Sequence, residues 1–428
     1  VRTLLPILLA LALHAGTHAE APPAWNGELR AHVELQRANG HGPLAEANRI
    51  APGTAATPRD AAVLEAGLRG QLRFVSADLY LRQERREGGT HAQDARFNEL
   101  YASGEAPSAL PGEGVQWSAG KKVVAWDVGY AFRPNDVVQV EPRRLLLAPR
   151  PEGRPLLQLE GFNIDSAWTL VWANPHHLNT PAGEARRGEE SALALRAYRR
   201  AGAADWHGFL RWGERTQGSV GAALAWVASE SVELHASARW MRRHDGFAPD
   251  AVPGAGGLPV AGANPWREAT LGAASQWLLG ATWTTADQVS VLAEVWHDGT
   301  TLPDAAWDTW NARNAALSAL GTQPGLPSAL HPALAGNLAW QATPWNVQNL
   351  RRDAALLRVS WKHEGCEPVA ELLVNPADRG RALAASLAWQ GDRWRLEGGL
   401  RQYGGPSDAL LAQLPARRTG FLAATVAF

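Results

Sequence analysis

Ionisable residues recur in this chain at every second position of short segments. Arg30, Arg69, Arg73, Arg82, Arg196, Arg200, Arg211, Arg239, Arg358, Lys362, Arg395 and Arg401 stand in such rows. Glu28, Glu34, Glu65, Asp78, Glu84, Glu233, Glu294, Glu371 and Glu397 share them. A period of two puts a row on one face of a β-strand. If one sign prevails, such a face selects ions by ring electrostatics. If the signs balance, it braces a wall with cross-strand ion pairs. The mixture favours bracing, and its modest arginine excess leaves an anion preference open.

Covalent and metal chemistry find little support. His176 and His177 lie in a Pro/Asn stretch with no third ligand at metal spacing. No G-x-S-x-G elbow, phosphate-binding loop or dinucleotide fingerprint occurs. Cys366 is the single cysteine, which excludes a disulfide framework and a cysteine-rich metal site. The net charge of −1 comes without a basic block, so no nucleic-acid partner is indicated. No enzyme activity, metal or cofactor is expected.

The elements that carry the charged rows are strands of about ten residues. Leu29, Ala31, Val33 and Leu35 alternate with Glu28, Arg30, His32 and Glu34. The same reading covers 64–74, 79–84, 193–200, 206–212, 220–228 and 232–240, then 277–283, 289–295, 355–361, 370–374, 383–389 and 394–402. Further strands are expected over 97–103, 115–126, 156–163 and 167–172. The apolar rows are rich in small residues, among them Ala222, Ala236, Ala238 and Ala281. A protein core needs more volume than that, whereas lipid fills any gap. Twenty Trp, several at strand ends such as Trp206, Trp212, Trp277 and Trp283, fit a membrane interface.

Turn lengths add an independent signal. Short connections near Ser76, Asp165, Ala203, 229–231, 286–287, 365–368 and 391–392 alternate with long ones at 39–60, 87–95, 133–154, 174–190, 243–267, 298–352 and 404–417. The fold predicted is all-β: a transmembrane antiparallel up-and-down barrel of about eighteen strands, or sixteen, with long outer loops and short periplasmic turns. Residues 1–19, with Arg2, an apolar run from Leu4 to Leu13 and a small-residue end at Ala19, read as a secretory signal peptide. Residues 20–428 then form a single barrel.

Two stretches carry a family resemblance. The closing pattern Gly420, Leu422, Ala424, Val426, Phe428 resembles the last strand of Gram-negative outer-membrane β-barrels, although an ordinary edge strand would read the same way. Gly120-Lys121-Lys122-Val123-Val124-Ala125-Trp126-Asp127 followed by Gly129-Tyr130-Ala131-Phe132-Arg133-Pro134-Asn135-Asp136 resembles a motif of porin-like families. Alginate-export-type and carboxylate-channel-type barrels have comparable length. The resemblance implies an outer-membrane location, lipid as surroundings and the barrel-assembly machinery as a partner in biogenesis. It implies a channel for small solutes or an exported polymer; the alternative is a closed barrel serving adhesion or assembly. Arg69, Arg73, Arg82, Arg196, Arg200, Arg211, Arg239, Arg358, Lys362, Arg395, Arg401, Glu233 and Glu294 are the candidate pore-lining residues. Lys121 and Lys122 face opposite ways in a regular strand, so a bulge or strand end is expected there. The 298–352 loop, helix-compatible over 305–321, would either enter the barrel mouth as a constriction or cap the surface.

Overall fold

A computed structural model of the chain describes residues 25–106, 114–139, 146–147, 149–177, 190–250 and 260–428. The expected signal peptide lies outside these residues. The first half of the wall is β1 (Asn26–Ala38), β2 (Ala61–Leu72), β3 (Val75–Arg86), β4 (His91–Glu105), β5 (Gly114–Lys122), β6 (Arg154–Phe162), β7 (Ser166–Ala173), β8 (Ala192–Ala201) and β9 (Ala204–Gly213). It continues as β10 (Gln217–Ser229), β11 (Val232–Met241), β14 (Ala274–Thr284), β15 (Val289–Asp298), β16 (Asp353–Trp361), β17 (Cys366–Asn375), β18 (Gly380–Gln390), β19 (Trp394–Gly404) and β20 (Ala416–Ala427). These form one antiparallel sheet of 18 strands.

Sequence neighbours pair throughout, and β20 pairs with β1, so the sheet closes on itself. The register Arg30↔Thr425 and Val33↔Leu422 seals the closure, and Phe428 exchanges two backbone hydrogen bonds with Gly27, at 2.8 and 2.9 Å. Closure removes the free edges that would expose unpaired backbone groups. Its even strand number brings both ends of the wall to the same rim.

Side chains sort as the alternation predicts. Leu210, Trp212, Val220, Leu234, Trp240, Leu279, Leu383 and Leu422 are exposed on the outer surface. His235, Ser237, Gln276 and Glu294 are buried toward the lumen. Trp206, Trp226, Trp283, Trp361, Trp389 and Trp394, all exposed, lie at the short-turn rim, where β1 begins and β20 ends. An exposed apolar band with an aromatic girdle is the surface of a membrane-inserted barrel.

Four places differ from the sequence expectation. The strand expected over 115–126 stops at Lys122, because the chain turns inward there. β4 begins at His91, so the expected loop over 87–95 is a four-residue turn; polar Gln93, Asp94 and Arg96 hid its upper half. The long-loop rim also has other short connections, over 214–216 and 376–379, which the turn alternation did not foresee. A hairpin of β12 (His244–Pro249) and β13 (Trp266–Leu271) rises separately from that rim. With it stand α1 (Pro43–Ile50), α2 (Asp304–Gly321) and α3 (His331–Trp340).

The loop over 298–352 is a cap. Ala47 of α1 packs on Leu317 of α2 and on Leu334, Ala335 and Leu338 of α3. Trp307 and Trp310 of α2 join Trp345, Phe247, Trp266, Leu410 and Leu411 in a second apolar cluster. Each helix thereby buries a face that water would otherwise meet.

Candidate functional site

The stretch that resembles a porin motif forms the inner structure of the lumen. After Lys122 the chain leaves the wall, and residues 123–139 run as a strap along its inside. Gly120, at φ 137°, permits the departure, since a side chain there would strike the backbone of β4. Lys121 then pairs with Glu152, while Lys122 lies 5.2 Å over the Tyr101 ring and donates to Ser118 Oγ at 3.2 Å.

Two aspartates shape the strap from within. Asp136 Oδ1 accepts the N–H of Trp126 at 2.7 Å and of Asp127 at 3.0 Å. Asp127 accepts the N–H of Val128 at 2.8 Å and of Asn135 at 2.5 Å. Burial pushes the Asp136 carboxyl up to about 6, against the pull of those two N–H donors.

The wall then holds the strap at three polar points. Glu294 of β15 accepts the N–H groups of Tyr130 and Ala131, both at 2.7 Å, and also contacts His235 Nε2 at 2.9 Å. Ser237 of β11 donates to Asp127 at 2.8 Å and accepts from Asn135 Nδ2 at 2.8 Å. Arg239 donates to Pro134 O at 3.3 Å and to Ser219 Oγ at 3.0 Å. Gly221 and Gly280 leave the necessary space: a side chain at Gly221 would overlap the Asn135 carboxamide, and one at Gly280 the His235 ring.

Apolar packing completes the attachment. Val124, Trp126 and Val137 sit among Leu156, Val171, Phe209 and Ala223 of the wall. Phe132 sits among Leu278, Leu292, Trp296 and Leu356. The strap tip reaches further: Tyr130 Oη donates to Glu371 of β17 at 3.2 Å, and the Arg358 guanidinium lies 5.3 Å over its ring.

Between that tip and the wall from β16 to β20 lies a cavity of about 240 Å³. Arg358, Glu367, Glu371, Arg395, Glu397 and Arg401 line its polar side. Arg358 pairs with Glu367 at 3.3 Å and Glu371 at 3.4 Å; Arg395 pairs with Glu397 at 2.9 Å. Arg401 stands 3.8 Å from Glu371. A cavity so lined offers a polar solute both signs of charge at fixed positions.

The other candidates fall into different settings. Arg69 pairs with Asp78 at 2.7 Å, and Arg82 with Glu84 at 2.6 Å. Arg211 pairs with Glu190 at 2.7 Å. Arg196 contacts His207 Nδ1 at 3.1 Å. Arg200 and Glu233 are exposed at the short-turn end of the inward rows. Two expected wall positions are corrected. Arg73 sits in the turn between β2 and β3 with φ 52°, because β2 ends at Leu72. Lys362 lies just beyond β16, exposed in the following turn. His176 and His177, read from the sequence as loop residues without a third metal ligand, pack against Trp172 and pair with Glu214 respectively. Among the described residues no cluster of three or more His, Cys, Asp or Glu could hold a metal ion.

Sequence reasoning missed the strap's seat. Its signal was present: β6, β7, β14 and β16 are apolar on both faces, through Leu156-Leu157, Val171-Trp172, Leu278-Leu279 and Leu356-Leu357. An inward face that is apolar needs an occupant.

No protein-family model and no curated protein matches the chain. Among solved structures, OccAB1 of Acinetobacter baumannii matches at TM-score 0.53 and 9% identity, over 95% of this chain and 96% of that one. A mutant Rhodopseudomonas blastica porin matches at TM-score 0.41 and 10% identity, over 95% and 100% of the respective chains. Closure of 18 antiparallel strands and the superposition on OccAB1 give the same conclusion: the chain has a porin-like barrel fold.

Proposed function

We propose that the chain is an outer-membrane channel of a Gram-negative bacterium that passes small polar solutes. The observation that carries this reading is the strap, which Glu294, Ser237 and Arg239 hold inside the lumen. A folded segment there narrows the passage, which suits small solutes better than an exported polymer. The polar cavity beside Tyr130 supports solute contact at Arg358, Arg395 and Arg401. Arg69, Arg82, Arg196, Arg200, Arg211, Arg239 and Glu233 are proposed as the remaining lining; Glu294, expected there from the sequence, is buried beneath the strap and latches it instead. Their ion pairs fit a braced lumen of mixed sign better than a ring of one sign.

In this reading residues 1–19 direct export, residues 20–428 make the single barrel, and the barrel-assembly machinery is the partner in biogenesis. The chemistry is transport, and no enzymatic step is assigned. The cap formed by α1, α2 and α3 favours a second reading, a barrel shut at its long-loop end and used for adhesion. Single-channel recording of the purified protein in a planar bilayer separates the two. Steady openings in simple salt are expected. A protein that inserts but stays silent in every salt would leave the adhesion reading.

A further inference from the structure

The polar cavity between the strap tip and the wall is wet at one end and sealed at the other. On β19 the inward row climbs from the short-turn rim through Arg395, Glu397 and Arg401 to Tyr403. On β17 it climbs through Glu367 and Glu371 to Leu373. Side-chain exposure falls along the climb, from 45% at Arg395 and 28% at Glu367 to 12% at Glu371 and 10% at Arg401. Water therefore reaches the cavity from the short-turn side.

The seal above is apolar. Leu373 and Tyr403 pack against the cluster that holds Trp307, Trp310 and Trp345 of the cap. Leu373 also packs against the strap cluster around Phe132. Cap, strap and wall thus meet one inward position above Glu371 and Arg401.

A buried cation holds the cap over this arc. Arg351 pairs with Asp304, the first residue of α2, at 3.0 Å, and with Asp378, in the turn between β17 and β18, at 2.9 Å. Asp378 also accepts the N–H of Leu410, from the connection between β19 and β20, at 3.0 Å. A buried ion pair is costly to break by removing one partner. Such a node gives the cap two discrete positions, seated with the node made or lifted with it broken.

We propose that the cavity is a one-sided site for a small solute that carries both charges. It fills from the short-turn side, and the cap, caught by Arg351, bars it from the long-loop side until it lifts. The lining holds three arginines and three glutamates. A zwitterion meets both signs there and leaves the balance intact, whereas a lone ion leaves one sign in excess. The closure is of the cavity and not of the whole lumen, so salt current passes beside it. The proposal rests on the channel reading.

The test is single-channel recording of the full-length protein with γ-aminobutyrate in one compartment. That zwitterion has no net charge, so voltage favours neither side. The orientation of each inserted molecule is read with streptavidin against biotin on Glu230→Cys, in the exposed β10–β11 turn, in a Cys366→Ser background. Block events should be frequent from the short-turn side. A cap lifted for about 10% of the time or less lowers their frequency from the long-loop side at least tenfold. Arg351→Gln should raise the long-loop frequency toward the other. If that variant fails to fold, Asp304→Asn, at the exposed end of the node, should move it the same way by less. Equal block from both sides in the parent protein overturns the proposal, while steady openings keep the channel reading. So does block from neither side, or a ratio that both variants leave unchanged. A protein that inserts but stays silent in every salt overturns both.

Discussion

The strap and the cap are both excursions from the long-loop rim, and they are held by opposite means. The cap is helical, so its backbone bonds itself, and its side chains pack on one another and on neighbouring loops: Leu317, Leu334 and Leu338 with Ala47, and Trp310 with Trp345 and Leu410. The strap has no regular secondary structure, so its backbone groups need partners elsewhere. It finds them in wall side chains, chiefly Glu294, and in its own Asp127 and Asp136. A segment that enters a lumen is therefore written partly in the wall. A helical segment at the rim satisfies its backbone by itself and asks its neighbours only for apolar contact.

The largest expected break in this comparison is Glu294→Ala. It removes the acceptor for two backbone N–H groups, in charge-assisted bonds that contribute about 1.5–3 kcal/mol each. The strap tip should detach, raising conductance and opening the 123–139 segment to protease, while the barrel stays folded because its ladder is untouched. Unchanged conductance would mean that apolar packing around Phe132 holds the strap without its polar latch.

Trp310→Ala should be the mirror case. The ring is 2% exposed between Trp307 and Trp345, and truncations of this kind cost about 3–5 kcal/mol. The cap over 304–340 should become protease-sensitive, with strap contacts and ion preference unaltered. If instead the strap loosens as well, the two excursions form one cooperative unit and the contrast drawn above fails.

The wall was legible in the sequence because a barrel strand is decided by local alternation. Val232–Trp240 reads the same from sequence as from structure, since each side chain answers only to lipid or lumen. The strap was not legible as a strap. Trp126 continues the alternation of β5, and nothing local distinguishes a strand residue from one that packs on Phe209, four strands along the wall. Gly221 and Gly280 looked like ordinary small wall residues; their meaning depends on Asn135 and His235, which are far from one or the other in sequence. The candidate arginines were legible as an inward row, but their pairing was not. Arg239, for example, meets a carbonyl of the strap rather than a wall carboxylate.

The smallest expected perturbation tests the faces at one place where wall and strap meet. Ala236 faces outward with Leu234 and Ala238, whereas Ser237 faces inward. From alternation alone, position 237 should be open to lumen water and tolerant of Arg. The structure overturns that expectation: Ser237 is 3% exposed, covered by Asp127 and Asn135 of the strap. Single cysteines at the two sites, in a Cys366→Ser background, carry a spin label with little effect on the ladder itself. The label at 236 should meet oxygen dissolved in lipid and be shielded from a water-soluble relaxant. The label at 237 should be shielded from both, and Glu294→Ala should open it to the water-soluble reagent alone. Shielding at 236 from both reagents would put that face in a protein core and sink the membrane reading. Free access at 237 in the parent protein would mean that the strap does not rest on β11, and the latch at Glu294 would lose its purpose.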